Sequence, residues 1–364
     1  MNEKISNYQL TMFIVLTILG VGIFSLPRVV AEATNSDGWI TTILGGMIAI
    51  GEYYIISKLA RKFPNFTFVE IAKEVVGKVL AIPIIFVFLL NTIIVSSMVL
   101  RIFGEVIKMS LLFKTPIEVI LISFLLLAFL LARGGIEPIV RFDEFVFPIM
   151  IFSVILLLAL AIPDSDFTNI LPIMRTKPMD FINGVMETSF AYTDFEFVLF
   201  IVPFIKNREK IFKSGFIAIL IVVAVYVGIV ILSFAKLGVE SVKQSMWPTL
   251  SMIRSINVPD SFIERLEGII MPLWILFAFT TIAPSLYVLS KIISKTINHK
   301  EFKHFCTMLI PIIYIIAITP NSVVDAYKLL NFTVKYIGSI SVFVIPILLY
   351  TVASIRKMGE KQNA

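Results

Sequence analysis

Two glycines, Gly20 and Gly22, lie at the middle of the first apolar segment of the chain, residues 9–31. Glycine pairs allow a helix to unwind. The second half of this segment can therefore begin inside the protein with free backbone N–H groups and a positive dipole end, which suits a carboxylate. Close packing of small residues against a neighbouring helix is an alternative use of the same glycines.

Two acidic residues, Asp194 and Glu196, lie near the middle of the sixth apolar segment, residues 181–204. This places them level with the glycine pair of the first segment. A carboxylate at that depth is costly and usually functional, so we expect an ion or proton site here. The alternative is a buried structural pair that hydroxyl groups or a basic partner such as Arg28 or Arg101 would satisfy.

The composition excludes most other kinds of function. Of 364 residues, 58% are hydrophobic and 15% are charged, against about 25% charged in soluble domains, and the mean hydropathy is +0.95. A water-soluble enzyme is excluded, and we expect no catalytic activity. The single Cys and the two His residues lie between His299 and His304 without zinc-ligand spacing, so we expect no metal and no cofactor. The net charge of +6 fits basic loops beside a lipid bilayer rather than nucleic-acid binding.

Ten mostly apolar segments have about the length that crosses 30 Å of hydrocarbon. They are residues 9–31, 38–59, 79–100, 116–132, 145–162, 181–204, 215–235, 268–290, 305–318 and 336–355. We therefore predict an all-α integral membrane protein with ten transmembrane helices in one domain, residues 1–364. An even number puts both termini on one side, and the basic loop 206–213 indicates that this side is cytoplasmic.

The spacing of the two special segments predicts an internal repeat. Segments one and six cross in opposite directions, as a five-plus-five inverted repeat requires, with broken helices facing each other around a central site. The first repeat would cover residues 9–162 and the second 181–355. Two further stretches, 61–78 and 101–112, are predicted to form interfacial amphipathic helices.

Several short motifs carry a resemblance to a known family. They are Pro27-Arg28, Asp37-Gly38-Trp39-Ile40, Lys114-Thr115-Pro116-Ile117, Trp247-Pro248-Thr249 and Phe262-Ile263-Glu264-Arg265-Leu266-Glu267 ahead of Trp274. In these motifs the chain resembles the spore germination permeases, the B subunits of nutrient germinant receptors, within the amino acid-polyamine-organocation transporter superfamily. The similarity extends over nearly the whole chain.

The resemblance implies a LeuT-type fold with helices 1 and 6 broken. It also implies residence in the spore inner membrane and assembly with a multi-span A subunit and a C-subunit lipoprotein. A small nutrient, typically an L-amino acid, would bind centrally. The resemblance implies eight ligand-binding residues, with backbone N–H groups for the carboxylate at the first four and a pocket lining at the rest: Gly20, Val21, Gly22, Ile23, Val95, Tyr192, Thr193 and Thr281.

Three functions stay open at this point. The leading one is a nutrient-sensing receptor subunit, and the main rival is a secondary active amino acid transporter that works by alternating access. A scaffold or conduit with a vestigial pocket is the third. The sequence departs from the superfamily in two places: no glycine lies between residues 185 and 204, and no lysine lies within residues 145–162. The second departure gives no support to proton coupling through a lysine of the fifth segment.

Overall fold

The protein is helical throughout the part of the chain that the structure, a computed structural model, describes: residues 4–256 and 267–359. Its only β feature within those ranges is an isolated bridge between Ile5 and Ile205. The helices are α1 (Asn7–Ile18), α2 (Gly22–Thr34), α3 (Gly38–Lys62), α4 (Phe68–Val76), α5 (Lys78–Ser110), α6 (Ile117–Arg133), α7 (Ile136–Ala161), α8 (Pro178–Ser189), α9 (Val198–Ile201), α10 (Ile211–Leu237), α11 (Val239–Gln244), α12 (Pro248–Arg254), α13 (Glu267–Thr296), α14 (Lys303–Ile318), α15 (Val323–Phe332), the π-helix Thr333–Val344 and α16 (Ile345–Ile355). The all-α prediction is confirmed. The motif at 262–266 lies outside the described residues.

Long apolar helices make this a multi-pass membrane protein. Within the described ranges, six helical segments are long and apolar enough to cross a bilayer: Gly22–Lys62, Lys78–Ser110, Ile136–Ala161, Arg208–Leu237, Gly268–Thr296 and Val323–Ile355. Helices occupy the remaining predicted segments as well, but several are shorter. The count of ten crossings and the division into two repeats therefore stay predictions.

Three predicted boundaries are wrong. Residues 101–110 do not form a separate interfacial helix, because α5 continues through them to Ser110 with Arg101 buried and paired to Glu105 at 3.0 Å. The helix of the fifth predicted segment, α7, begins at Ile136, and that of the tenth predicted segment begins with α15 at Val323. Each helix begins earlier than its apolar segment. Charged and polar residues in those first turns hid the helix from a hydropathy criterion.

The core around the first helix break is aromatic. The Phe24 ring on α2 lies 5.4 Å from the Trp274 ring of α13 and 5.7 Å from the Phe103 ring of α5, measured between centroids. The indole N–H of Trp274 donates to Ser153 of α7 at 3.2 Å, which satisfies the one polar atom of this buried side chain. Four helices are thus fixed against one another beside the break.

Both described chain ends lie at one face of the bundle. Ile5 pairs with Ile205, and the Asn7 side chain donates to the carbonyl of Asn207 at 3.0 Å. The guanidinium of Arg356 donates to the carbonyl of Val75 at 2.9 Å on the same face. We call this the chain-end face.

At the opposite face, Asp37 fastens the connection between α7 and α8. Its carboxylate accepts hydrogen bonds from the backbone N–H groups of Met174, Arg175 and Thr176 at 2.6, 3.1 and 3.0 Å, and from the Thr176 hydroxyl at 2.6 Å. A Cβ on the neighbouring Gly38 would lie 2.7 Å from a methyl group of Val30. The Asp-Gly pair of the sequence motif therefore combines an anchor with a close helix contact.

At the chain-end face, Glu70 joins the short helix α4 to the end of α13. Its carboxylate forms a capping box with Thr67 and pairs with the ammonium group of Lys295 at 2.7 Å. Burial raises the pKa of Glu70, but the hydrogen bonds from Lys295 and Thr67 and the charge of Lys295 outweigh it and hold that pKa below its usual value. The charged form is thus stabilised by folding.

Glu70→Gln should loosen α4. We expect a lower melting temperature and faster deuterium uptake over residues 67–76. The loss of stability should be about 0.5–1 kcal/mol, which is small because the ion pair is partly exposed to solvent. Because the folded pKa is depressed, the stabilisation is complete at pH values above the usual 4.5 and is lost as the pH falls through the folded value. Glu74→Gln, an exposed acid on the same helix, is the matched control, and an equal effect there would contradict the assignment.

Candidate functional site

The first transmembrane segment is broken at the glycine pair. Helix α1 ends at Ile18 and α2 begins at Gly22. The backbone N–H of Gly20 donates to the carbonyl of Ile18 at 2.7 Å in a tight turn. The N–H groups of Val21 and Gly22 have no partner among the described residues, so the positive end of α2 begins at the break.

The second break lies in the sixth segment, where α8 ends at Ser189 and irregular turns follow to Phe197. Thr193 is extended, and Asp194 adopts a left-handed conformation with φ of +79°. Aspartate tolerates this region better than most residues. The segment therefore unwinds without the glycine that the sequence lacks.

One tyrosine ties the two breaks together. The hydroxyl of Tyr226 on α10 lies 3.1 Å from the carbonyl of Ile18, which also accepts from Gly20, and 3.3 Å from that of Ala191. Its one proton is shared between carbonyls of the two breaks. A Cβ on Gly22 would lie 3.0 Å from this hydroxyl, and a Cβ on Gly20 would lie 3.2 Å from the hydroxyl of Thr281. The glycines thus permit both the breaks and the close approach of two side chains.

A cavity of about 540 Å³ opens from the two breaks. Of the ten residues expected at the site, seven line it: Gly20, Val21, Gly22, Val95, Thr193, Asp194 and Thr281. Glu32 and Ala33 in the last turn of α2, and Tyr327 in α15, also line it. The cavity therefore extends toward the face opposite the chain-end face.

The other three expected residues do not line the cavity. Ile23 is fully buried, and its carbonyl accepts from the hydroxyl of Thr249 at 2.7 Å. Tyr192 is fully buried and donates to the carbonyl of Thr42 at 2.8 Å. Glu196 is 1% exposed and lies behind the break. The irregular turns point the side chains of Tyr192 and Glu196 away from their lining neighbours.

Neither acid of the break has a basic partner among the described residues. Among the described residues, Arg28 pairs with Glu32 at 2.8 Å and Arg101 pairs with Glu105, so the structural alternative of an arginine partner is wrong. One carboxylate oxygen of Glu196 has no hydrogen-bond partner.

Two further buried acids escaped the sequence analysis as site candidates. Both carboxylate oxygens of Glu52 on α3 and of Asp143 on α7 lack hydrogen-bond partners among the described residues. Glu52 adjoins the second break, because its neighbour Tyr53 packs on Phe195 with 5.9 Å between ring centroids.

The helical segment Val323–Ile355, which holds the tenth predicted transmembrane segment, contributes a wall of the cavity that the sequence did not predict. The residues concerned come from its first half: Tyr327, Leu330, Asn331, Val334 and Lys335. The indole of Trp247 donates to the Tyr327 hydroxyl at 3.0 Å and so fixes the outer end of this wall. A lysine inside an apolar helix was the available signal, but residue 335 lay one position before the predicted start.

Solved structures define the fold. The chain is similar to Mhp1, a nucleobase-cation-symport-1 family transporter in a closed conformation with bromovinylhydantoin bound, with a TM-score of 0.70 and 13% identity over 94% of this chain and 78% of that one. It is also similar to MhsT in complex with L-phenylalanine, with a TM-score of 0.68 and 13% identity over 97% of this chain and 89% of that one. The fold is that of the LeuT-type transporters, as expected.

Sequence comparisons define the family. Residues 4–326 match the family model described as spore germination protein. The chain is 32% identical to spore germination protein YndE of Bacillus subtilis over 99% of both chains. It is 28% identical to spore germination protein GerQB of Bacillus cereus, over 95% of this chain and 94% of the relative. The chain belongs to the spore germination protein family.

Tyr226→Phe should loosen both breaks. Loss of the hydroxyl removes the one proton shared by the two carbonyls; Ile18 keeps the hydrogen bond from Gly20, whereas the carbonyl of Ala191 loses this donor. We expect a destabilisation of about 1–3 kcal/mol. Thermal unfolding and deuterium exchange over residues 18–24 and 190–197 measure it. Tyr314→Phe on α14 removes a hydroxyl without a hydrogen-bond partner among the described residues. If the two variants melt alike, Tyr226 does not tie the breaks.

Proposed function

We propose that this protein is the nutrient-sensing subunit of a spore germinant receptor and that it binds an L-amino acid in the cavity. One observation carries the proposal. The unpartnered N–H groups of Val21 and Gly22 and the carboxylate of Asp194 stand at the same cavity. A donor pair beside an acid complements the carboxylate and ammonium groups of an α-amino acid.

In this arrangement the ligand carboxylate accepts hydrogen bonds at the start of α2, where the helix dipole adds to the attraction. The ammonium group faces Asp194, and Val95 and Thr281 contact the ligand body. The L-phenylalanine bound to MhsT supports the proposal, because it is an amino acid bound by a protein of similar fold.

Signalling requires that the ligand bind one state of the protein more tightly than another. The breaks supply the mobile element, because a bound carboxylate would hold the start of α2 against the second break. The multi-span A subunit and the C-subunit lipoprotein would read this state. Both termini would be cytoplasmic in the spore inner membrane; the basic loop 206–213 and the family of the relatives support this placement.

Val95→Phe should abolish or shift the nutrient response. The larger ring fills the cavity, so spores whose only copy carries this change should need at least about tenfold more nutrient. The measurement is dipicolinic acid release across a panel of single amino acids, sugars and mixtures, with a strain lacking the gene and one complemented by the wild type.

Val79→Phe on the same helix is the matched control, because Val79 is 79% exposed and remote from the cavity. Wild-type dose-response curves for Val95→Phe would contradict binding in this cavity. If the strain without the gene keeps every response after other receptors are removed, the receptor role itself is wrong.

A second candidate function is secondary active amino acid transport, with Asp194 or Glu196 as a proton or cation site. The unpartnered carboxylate oxygens of Glu196 and Glu52 favour it, because isolated buried carboxylates are neutralised by a proton or a cation. The transporter fold of the solved structures also supports this candidate.

Asp194→Asn should impair function more than Glu52→Gln. Asparagine keeps the left-handed backbone but removes the charge that faces the ligand, whereas Glu52 lies outside the cavity lining. Uptake of radiolabelled mixed amino acids into proteoliposomes tests transport, and dipicolinic acid release tests sensing. Equal loss in both variants would mean that contact with the cavity does not decide the role of these acids.

A further inference from the structure

Lys335 lies within the helical segment Val323–Ile355, immediately before its apolar part at residues 336–355, and its side chain is exposed. Its side chain lines the cavity, and its ammonium group has no ion-pair or hydrogen-bond partner among the described residues. A lysine inside a membrane helix is tolerated when it faces a polar cavity, and it then usually marks a pathway or a binding site. The ammonium group is therefore open to the cavity and available to a bound molecule.

The backbone at Lys335 is also special. Lys335 is the third residue of the 12-residue π-helix Thr333–Val344, and π-helical turns are rare and frequently occur at functional sites. The hydroxyl of Ser339 donates to the carbonyl of Lys335 within this helix. A local departure from α-helical geometry thus coincides with the point where the lysine enters the cavity.

The charges around the cavity leave Lys335 as the one free cation of its described lining. Glu32 is already paired with Arg28 at 2.8 Å. Asp194 stands at the break, where the proposed function assigns it to the ligand ammonium group. Glu187 lines the cavity from α8, and among the described residues it forms no ion pair with the lysine. Lys335 is therefore available to the rest of the ligand.

We propose that Lys335 binds the side chain of the ligand and that this side chain ends in a carbonyl oxygen, as a carboxylate or a carboxamide. The inference rests on the proposed function, in which the helix break and Asp194 hold the α-carboxylate and the ammonium group. An aliphatic side chain would cover the Lys335 ammonium group without giving it an acceptor, and sites built to hydrogen-bond a substrate discriminate strongly against ligands that lack the partner group. The cavity of about 540 Å³ has room for such a side chain beyond the backbone groups.

The test compares three ligands on the purified full-length protein in lipid nanodiscs. Binding of L-glutamate, L-glutamine and L-leucine is measured by calorimetry for the wild type and for Lys335→Met. We expect L-glutamate or L-glutamine to bind the wild type at least about tenfold more tightly than L-leucine. The variant should lose this preference while its affinity for L-leucine is kept or increased. Preference between the first two ligands distinguishes the acid from the amide.

Lys328→Met is the matched control, because Lys328 lies in the same helical segment, pairs with Asp325 at 3.5 Å and does not line the cavity. This control should keep the wild-type preference. If Lys335→Met fails to fold, Lys335→Gln, which removes the charge and keeps a polar side chain, is the second variant and should lose the preference for L-glutamate. Equal binding of all three ligands by the wild type, or an unchanged preference in Lys335→Met, would overturn the role of Lys335 alone. Binding of none of the three would contradict the proposed function as well.

Discussion

Inside a membrane every backbone N–H and C=O group needs a partner within the protein, and the two helix breaks are where this chain departs from helical pairing. Side chains from other helices reach the released carbonyls: the Tyr226 hydroxyl lies between those of Ile18 and Ala191, and the Thr280 hydroxyl donates to that of Leu16. The released N–H groups of Val21 and Gly22 receive no such partner among the described residues. The surrounding helices thus complete one half of the broken backbone and leave the donor half to the cavity.

The sequence predicted the location of the breaks because their causes are local. A glycine pair at the centre of an apolar segment and acids at the centre of another carry their meaning within a few residues. The cavity wall formed by the helical segment Val323–Ile355 was not predicted, because the first part of this segment contains Asp325, Lys328 and Lys335. These residues lower the hydropathy of a helix that is nonetheless continuous. Charged residues within a continuous helix look like a loop in a hydropathy profile.

Sequence spacing also did not predict which side chains of the second break line the cavity. Thr193 and Asp194 line the cavity, whereas Tyr192 and Glu196 on either side do not. In a regular helix the direction of each side chain follows from a period of about 3.6 residues, but the left-handed turn at Asp194 resets that direction. Which residues of an unwound segment face a ligand is set by tertiary contacts, such as the bond from Tyr192 to Thr42.

The backbone at Asp194 also limits how this position can change during evolution. A left-handed conformation accepts glycine, asparagine and aspartate at low cost and most other residues at high cost. Only one of those three carries a charge, and aspartate and asparagine have nearly the same shape. Single substitutions can therefore add or remove a negative charge at the cavity while the shape of the break is preserved, so the charge of the cavity can change without rebuilding the fold.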